Sequence, residues 1–258
     1  IHFDANGGEG TMADIVCPLE DDHEVELPEP TFTREGYAAG GWSEDAVLGS
    51  DDYAYYTDTY IVDTEDGTVA ETTLYVIWAK VITYHGDDVF KAYDMAQQLV
   101  DAVDIECGVG EPLTAEDGDI FYDVRYVYDG KEVFFYGWNT SADRTGDWYF
   151  PGQEIDDGID DLYGFWCWHI GFDLGNYVEF FNVDYGSIPG GNAEEGYVAV
   201  IIGESIQLPG VVPIEEELED LSNLGWQYFI GETSHIVGCG ETFTPDDSIV
   251  MQLIFRNE

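Results

Sequence analysis

The sequence predicts a β-rich α+β fold built from three small modules in tandem. A Gly-Trp step recurs at residues 41–42, 137–138 and 225–226, and each copy is followed roughly thirty residues later by a β-rich run. Aromatic residues make up 15% of the chain, and large rings favour half-buried strands. Two further stretches, residues 89–103 and 213–221, have the apolar spacing of helices. We therefore expect modules at residues 1–80, 81–168 and 169–258, arranged as an elongated array.

The charge of the chain restricts its partners. The 258 residues include 55 acidic and 7 basic side chains, for a formal net charge of -48. This field repels nucleic-acid phosphates and anionic membrane surfaces, so we expect neither nucleic-acid binding nor membrane insertion. It also destabilises the compact state by self-repulsion, which salt or bound divalent cations relieve. A solubilising surface on an extracellular protein is the simplest explanation, and adaptation to high salt and divalent-cation binding are the alternatives.

The cysteines show no metal-site spacing. They lie at positions 17, 107, 167 and 239, without a Cys-x-x-Cys pair, which argues against zinc. Cys107 and Cys167 share the second module, and the sequence leaves open whether they form a disulfide. The longest strongly apolar run, residues 163–172, is too short to cross a bilayer. Because the chain opens directly in a strand without a signal peptide, we expect a fragment whose signal and anchor lie outside it.

The first module has strand and turn signals in a regular order. Residues 1–5 predict a strand, and Asn6-Gly7-Gly8 supplies the positive φ angles of a tight turn. Residues 25–27 predict a second strand, and a short helical turn is expected at residues 32–35. Strands at Gly41-Trp42 and at residues 74–78 complete the module.

These elements carry the motifs of a known family. In chain order the motifs are Phe3-Asp4-Ala5-Asn6-Gly7-Gly8, Gly10-Thr11-Met12, Leu27-Pro28, Phe32-Thr33-Arg34-Glu35-Gly36-Tyr37, Gly40-Gly41-Trp42, and Thr72-Thr73-Leu74-Tyr75 with Trp78. The first module thereby resembles the Listeria–Bacteroides repeat family, to which the internalin B-repeats of bacterial surface proteins are related. The resemblance implies small β-grasp modules, a cell-surface or secreted location, and a structural or adhesive role without catalysis.

The second module resembles the family only in its closing half, through residues 137–140, residues 149–152, and Leu162-Tyr163 with Trp166. In its first half, a strand at residues 81–84 precedes a predicted helix. The apolar residues that predict this helix are Val89, Tyr93, Ala96, Val100 and Val103. Asp129-Gly130 then predicts a hairpin between residues 121–128 and 131–136.

The third module is the most diverged. Gly225-Trp226, residues 240–245 and a final strand at residues 249–255 are what remain of the repeat. Pro213 suits a first helical position, and Ile214, Leu218 and Leu221 would form one helix face. Neither module boundary, at residues 80–81 or 168–170, contains a spacer rich in Gly, Ser or Pro, so we expect very short linkers.

Tryptophans are the candidate ligand contacts. The three Gly-Trp tryptophans are expected in the core, because Trp buries a large apolar area and Gly lets the backbone approach closely. Trp148, Trp166 and Trp168 are the candidates for ligand-facing aromatics. Trp166 and Trp168 lie two residues apart and would share one face of a strand. That face either binds a ligand or packs against the third module, and packing is the favoured interpretation.

Acidic loops are candidate calcium sites, since calcium takes oxygen ligands. The candidates are Asp63 and Asp66, Asp117 and Asp119, and Asp157 and Asp160. None fits the EF-hand pattern, and such runs arise by chance in so acidic a chain, so solvated loops are the favoured interpretation. No other cofactor is expected.

Two weak patterns in the sequence partly resemble catalytic sites. Gly203-Glu204-Ser205-Ile206-Gln207 lacks the final glycine of a nucleophile elbow. Cys167 and His169 would lie on the same side of a strand, but a catalytic Cys-His pair also needs an orienting third group. We therefore predict no catalytic residues and no enzyme.

The sequence as a whole predicts a monomeric, non-catalytic repeat region of a cell-surface or secreted protein. It would act as an adhesin-like stalk or as an interaction module for an extracellular protein or glycan. The alternatives are a carbohydrate- or protein-binding module, and an accessory region of a larger extracellular enzyme.

Overall fold

Strands make up most of the structure. The computed structural model describes residues 1–18, 23–47, 59–62, 71–86, 92–93, 99–107, 113–116, 127–185, 191–192, 196–214 and 223–255. The strands in these residues are β1 (His2–Asp4), β2 (His23–Glu26), β3 (Tyr37–Ser43), β4 (Thr59–Val62), β5 (Thr73–His85), β6 (Ala92–Tyr93), β7 (Leu99–Val100), β8 (Ala102–Glu106), β9 (Val127–Tyr128), β10 (Lys131–Glu132), β11 (Phe134–Asn139), β12 (Trp148–Tyr149), β13 (Asp161–Asp173), β14 (Phe181–Val183), β15 (Gly191–Asn192), β16 (Tyr197–Ile201), β17 (Ile206–Gln207), β18 (Val211–Pro213), β19 (Leu224–Ile230), β20 (Thr233–Gly238), β21 (Thr242–Phe243) and β22 (Ile249–Phe255).

The predicted α+β fold with β-grasp-like modules is wrong, because the structure is nearly all β. Helical residues in the described part of the chain are limited to a 3-10 turn, Gly175–Tyr177, and the single residue Tyr185. No helix in these residues is long and apolar enough to span a membrane.

Residues 89–91 and 94–98 of the segment expected to form a helix, residues 89–103, lie outside the described residues, and the rest contains β6, β7 and the start of β8. β6 pairs with β7, and β8 forms an antiparallel ladder with β5 that runs from Val81↔Glu106 to His85↔Ala102. Apolar spacing over so short a stretch fits a helix or a strand, and pairing with β5 supplies backbone hydrogen bonds to the strand.

Two smaller helix predictions also differ from the structure. Pro213, expected at a helix start, is the last residue of strand β18, and the rest of that helix, residues 215–222, lies outside the described residues. The helical turn expected at residues 32–35 is absent, and Thr33 and Arg34 form isolated β-bridges there.

The predicted hairpin at Asp129-Gly130 is confirmed where the structure describes it. β9 and β10 pair antiparallel across these two residues. Their φ angles are 51° and 80°, and this pair of positive φ angles characterises the type I′ turn that Asp-Gly favours.

The chain divides into two compact units. Unit 1 comprises residues 1–85, 102–115 and 152–162. Within it β5 pairs with β1 in parallel and with β3 and β8 antiparallel, while β2 pairs with β4. One buried hydrophobic cluster within it consists of Leu27, Phe32, Trp42, Tyr60, Leu74 and Val76.

Unit 2 comprises residues 86–101, 116–151 and 163–258. Within it β13 pairs antiparallel with β11 and β16 and in parallel with β22. β22 pairs with β19, which pairs with β20. Its buried side chains include Trp138, Trp166, Trp168, Ile170, Trp226 and Met251. The division into three sequence modules stays a prediction.

The Gly-Trp tryptophans lie in the core, as predicted. Trp42, Trp138 and Trp226 are each 0% exposed. Each indole Nε1 donates a hydrogen bond to a backbone carbonyl, at 2.8 Å from Pro28 O, 2.6 Å from Glu116 O and 2.9 Å from Pro209 O. These bonds satisfy a donor that burial removes from water.

The glycine of the step has a steric role in the second copy. Gly137 has a φ of 155° and follows a shift in the β11–β13 register between Phe135 and Gly137. A Cβ at this position would approach the Phe150 ring to 3.0 Å. A larger residue would therefore displace that ring.

The predicted module boundaries fall inside strands. Lys80 and Val81 are consecutive residues of β5, whose pairing changes there from β3 to β8. Residues 168–170 lie inside β13, which pairs with β11 up to Cys167 and with β22 from Ile170. At each predicted boundary the strand continues without an intervening linker.

Candidate functional site

Side chains of β13 alternate between a buried and a half-buried face. Trp166 and Trp168, two of the candidate ligand-facing residues, are each 2% exposed, and Ile170 is fully buried beside them. Phe165, His169 and Gly171 are on the other, half-buried face. This two-residue period places both tryptophans in the core and makes the opposite face available for contacts.

Trp148, the third candidate, is half-buried and belongs to a cluster of four rings in unit 2. Its ring centre lies 5.2 Å from that of Tyr136 and 5.3 Å from that of Phe165. Phe150 lies 6.0 Å from Tyr136, and all three pairs meet edge to face. We call Tyr136, Trp148, Phe150 and Phe165 the aromatic cluster.

An open groove of about 820 Å³ runs beside this cluster. Tyr136 and Trp148 line it together with the charged and polar side chains of Asp143, Arg144, Glu204, Ser205 and Gln207. Its volume is within the range of small-ligand sites, roughly 300–1,000 Å³. The groove therefore combines apolar ring surface with several hydrogen-bonding groups.

An ion pair and hydrogen bonds engage the charged side chains of the groove. Arg144 Nη1 lies 2.6 Å from Glu204 Oε1. Asp143 accepts hydrogen bonds from Thr145 Oγ1 at 2.6 Å and Ser141 Oγ at 2.7 Å. These bonds, with Thr145 contributing most, lower the pKa of Asp143 from 3.8 to about 2, so the carboxylate is ionised at neutral pH.

Asn139 positions the loop that carries Asp143 and Arg144. The Asn139 side chain is 0% exposed, and its Oδ1 accepts from the backbone N–H groups of Ser141 and Gly146. Arg144 adopts a φ of 67°, in the left-handed region that costs energy for a residue with a Cβ. The loop is therefore held by its own hydrogen bonds in a conformation that directs both charges to the groove.

The side chain of His169 is packed between two aromatic rings. The imidazole ring stacks between Phe134 and Tyr197, with ring centres 3.8 Å and 3.9 Å away. Its neighbour Cys167 is 1% exposed, and burial raises the pKa of the Cys167 thiol from 9.0 to about 12. The thiol is therefore neutral at physiological pH and lacks the thiolate that a nucleophile needs. No disulfide joins Cys167 to Cys107.

The structure describes only two of the six aspartates that were candidates for calcium binding. Asp63, Asp66, Asp117 and Asp119 lie outside the described residues. Asp157 is exposed, and Asp160 forms an ion pair with Lys80. Among the residues that the structure describes, no group of three or more His, Cys, Asp or Glu side chains could hold a metal ion.

Comparison with known proteins identifies the first part of the chain. Residues 1–75 match the family model of the Listeria-Bacteroides repeat domain, which confirms the resemblance over this segment. Repeats of this family occur in bacterial surface proteins and are generally non-catalytic. The match covers less than a third of the 258 residues. No curated protein and no solved structure matches the chain.

Proposed function

We propose, from the premise that residues 1–75 form a Listeria-Bacteroides repeat domain, that this chain is a non-catalytic interaction module displayed on a bacterial surface or secreted. The family match is the observation that carries the proposal, because such repeats occur in surface proteins. The strongly acidic composition favours the same environment, since a net charge of -48 keeps an exposed protein soluble.

The chemistry of Cys167 supports a role without catalysis. A thiol with a pKa of about 12 carries almost no thiolate at neutral pH, and the side chain is buried in the sheet of unit 2. The neighbouring imidazole of His169 is packed between two rings. Both side chains thus serve as packing groups, which fits an interaction module better than an enzyme.

The groove of unit 2 favours an adhesin-like role over that of a passive stalk. A spacer needs only a stable core, whereas here Arg144 and Glu204 form an ion pair and Asp143 accepts two hydroxyl hydrogen bonds beside the rings that line the groove. Preorganised polar groups in a groove are the features of a binding site. The partner would be an extracellular protein or glycan.

Surface labelling of the producing bacterium tests the proposal. An antibody raised against the chain should label intact cells or the culture medium, and protease treatment of intact cells should remove the cell-bound signal. An antibody against a cytoplasmic protein, which should label only permeabilised cells, is the control. Labelling of this chain only after permeabilisation would overturn the proposal.

A further inference from the structure

The groove beside the aromatic cluster presents two kinds of surface to a ligand. Tyr136 and Trp148 contribute large rings, and Asp143, Arg144, Glu204 and Gln207 contribute hydrogen-bonding groups. Ligands that match both are amphipathic, with apolar faces and polar edges. A sugar ring has this character, because its C–H groups form flat apolar patches and its hydroxyls surround them.

The aromatic side of the groove is ready to pack against such a face. Tyr136 and Trp148 support each other at 5.2 Å, and Phe165 supports Trp148 from below at 5.3 Å. Rings fixed in this way lose little conformational freedom when a ligand binds. Burial raises the pKa of the Tyr136 phenol, so its hydroxyl stays protonated and can donate as well as accept a hydrogen bond.

The polar side chains of the groove are also paired with neighbouring groups. The ion pair at 2.6 Å orients Arg144 and Glu204, and two hydroxyl groups orient Asp143. Carboxylates accept and guanidinium groups donate pairs of hydrogen bonds, which suits the neighbouring hydroxyls of a sugar. Ser205, whose hydroxyl lies 2.5 Å from that of Thr244, adds a further polar group to the lining.

The negative charge of the groove and of the chain favours neutral sugars over anionic ones. Two carboxylates and one guanidinium line the groove, and the whole chain carries a net charge of -48. This field lowers the local concentration of anionic ligands. Uronic-acid and sialylated glycans are therefore disfavoured relative to neutral ones.

We propose that this groove binds a neutral oligosaccharide, with Tyr136 and Trp148 packed against the sugar rings and Asp143, Arg144 and Glu204 hydrogen-bonded to its hydroxyls. The proposal rests on the proposed function as an interaction module and names the ligand class for it. The groove thereby becomes the recognition site of unit 2.

Titration calorimetry of the complete chain tests the ligand class. The probes are the neutral hexasaccharides of glucose, mannose and N-acetylglucosamine, with oligogalacturonate of equal length as the anionic comparison. We expect at least one neutral probe to bind and the anionic probe not to bind. Trp148→Ala and Asp143→Asn should each weaken that binding by about tenfold or more.

Phe229→Ala is the matched control for the aromatic substitution. Phe229 is an aromatic residue of the same unit that is 58% exposed and does not line the groove, so its removal should leave affinity unchanged. Circular dichroism melting of each variant separates lost binding from lost folding. If Trp148→Ala unfolds the chain, Asp143→Asn carries the test, because Asp143 is on the surface.

The outcomes separate the ligand class from the proposed function. Absence of binding to every neutral probe, preference for oligogalacturonate, or equal loss in Phe229→Ala would overturn the oligosaccharide proposal. Capture of an extracellular protein instead would overturn it too, and would leave the proposed function standing. Failure of surface labelling would overturn the proposed function whether or not the oligosaccharides bind.

Discussion

The ammonium group of Lys80 forms an ion pair with the carboxylate of Asp160, 80 positions away in unit 1. The lysine side chain is 9% exposed and the aspartate 65%. The same ammonium group lies 5.1 Å from the centre of the Tyr37 ring. One of only seven basic residues in an acidic chain is thus buried, and Asp160 supplies its countercharge.

Removal of the Asp160 charge should destabilise unit 1. Asp160→Asn leaves a buried ammonium without its carboxylate, so we expect the free energy of unfolding to fall by about 1–2 kcal/mol. This lies between the roughly 0–1 kcal/mol of exposed pairs and the 3–5 kcal/mol of fully buried ones. Urea denaturation measures the loss. Asp157→Asn, which removes the same charge from an exposed position three residues away, should cost less than about 0.5 kcal/mol; equal losses would contradict a specific role for the pair.

The three buried Gly-Trp tryptophans should respond alike to loss of the indole hydrogen bond. In Trp226→Phe the Pro209 carbonyl loses its donor and a small cavity forms, and we expect a loss of about 2–3 kcal/mol. Trp42→Phe and Trp138→Phe should cost similar amounts. The control is Trp148→Phe, because that ring is half-buried and should cost about 1 kcal/mol or less. Thermal melting of the four variants provides the comparison, and similar losses for all four would refute the repeated role.

The carboxyl group of Asp143 should titrate near pH 2. Its folded-state pKa lies below the ordinary 3.8, so the stabilisation is fully present above pH 4 and is lost as the pH falls towards 2. Thr145→Val should raise the pKa towards 3.8 and Ser141→Ala should raise it less, since Thr145 contributes most to the shift. An NMR titration of the Asp143 carboxyl carbon measures all three midpoints. A wild-type midpoint close to 3.8 would show that the loop hydrogen bonds do not form in solution.

Salt should stabilise the chain through screening. Between about 0.01 M and 0.15 M ionic strength the Debye length falls from about 30 Å to about 8 Å, which weakens repulsion among 55 acidic side chains. We expect the melting temperature to rise by several degrees, at about 2–4 °C per kcal/mol. Calcium chloride and sodium chloride at equal ionic strength should then give equal melting temperatures. A larger rise in calcium would contradict screening alone and would point to a cation site, for which Asp63, Asp66, Asp117 and Asp119 stay the candidates.

Local turn chemistry and burial were readable from the sequence, whereas long-range pairing was not. Asp129-Gly130 fixes its hairpin through two positive φ angles, a property of those two residues. The tryptophans of the Gly-Trp steps are buried because an indole ring removes a large apolar area from water when it packs in a core. The apolar spacing of residues 89–103 predicted a helix. That spacing describes only the local sequence and could not show that β8 pairs with β5.

The candidate site was predictable only in part. Trp148 was predictable as a candidate because the chain has only seven tryptophans. Asp143 and Glu204 were not, because nothing in the sequence distinguishes two carboxylates from the other 53. Glu204 pairs with Arg144, which lies 60 positions earlier in the chain and adopts a positive φ that no propensity assigns to arginine.

The continuity of β13 has a consequence for how such a chain can be rearranged by recombination. New segments are tolerated best at exposed loop tips, where no hydrogen-bonded ladder is cut. The predicted boundary at residues 168–170 lies instead in the middle of a strand that pairs with β11 before it and with β22 after it. The ladder between β13 and β16, from Cys167↔Ile201 to Gly171↔Tyr197, spans this boundary. A crossover there would divide β13 between two parents, so residues from both parents would have to pair with β16. The predicted second and third modules are therefore expected to be inherited as one piece, and to diverge together and not by exchange of single copies.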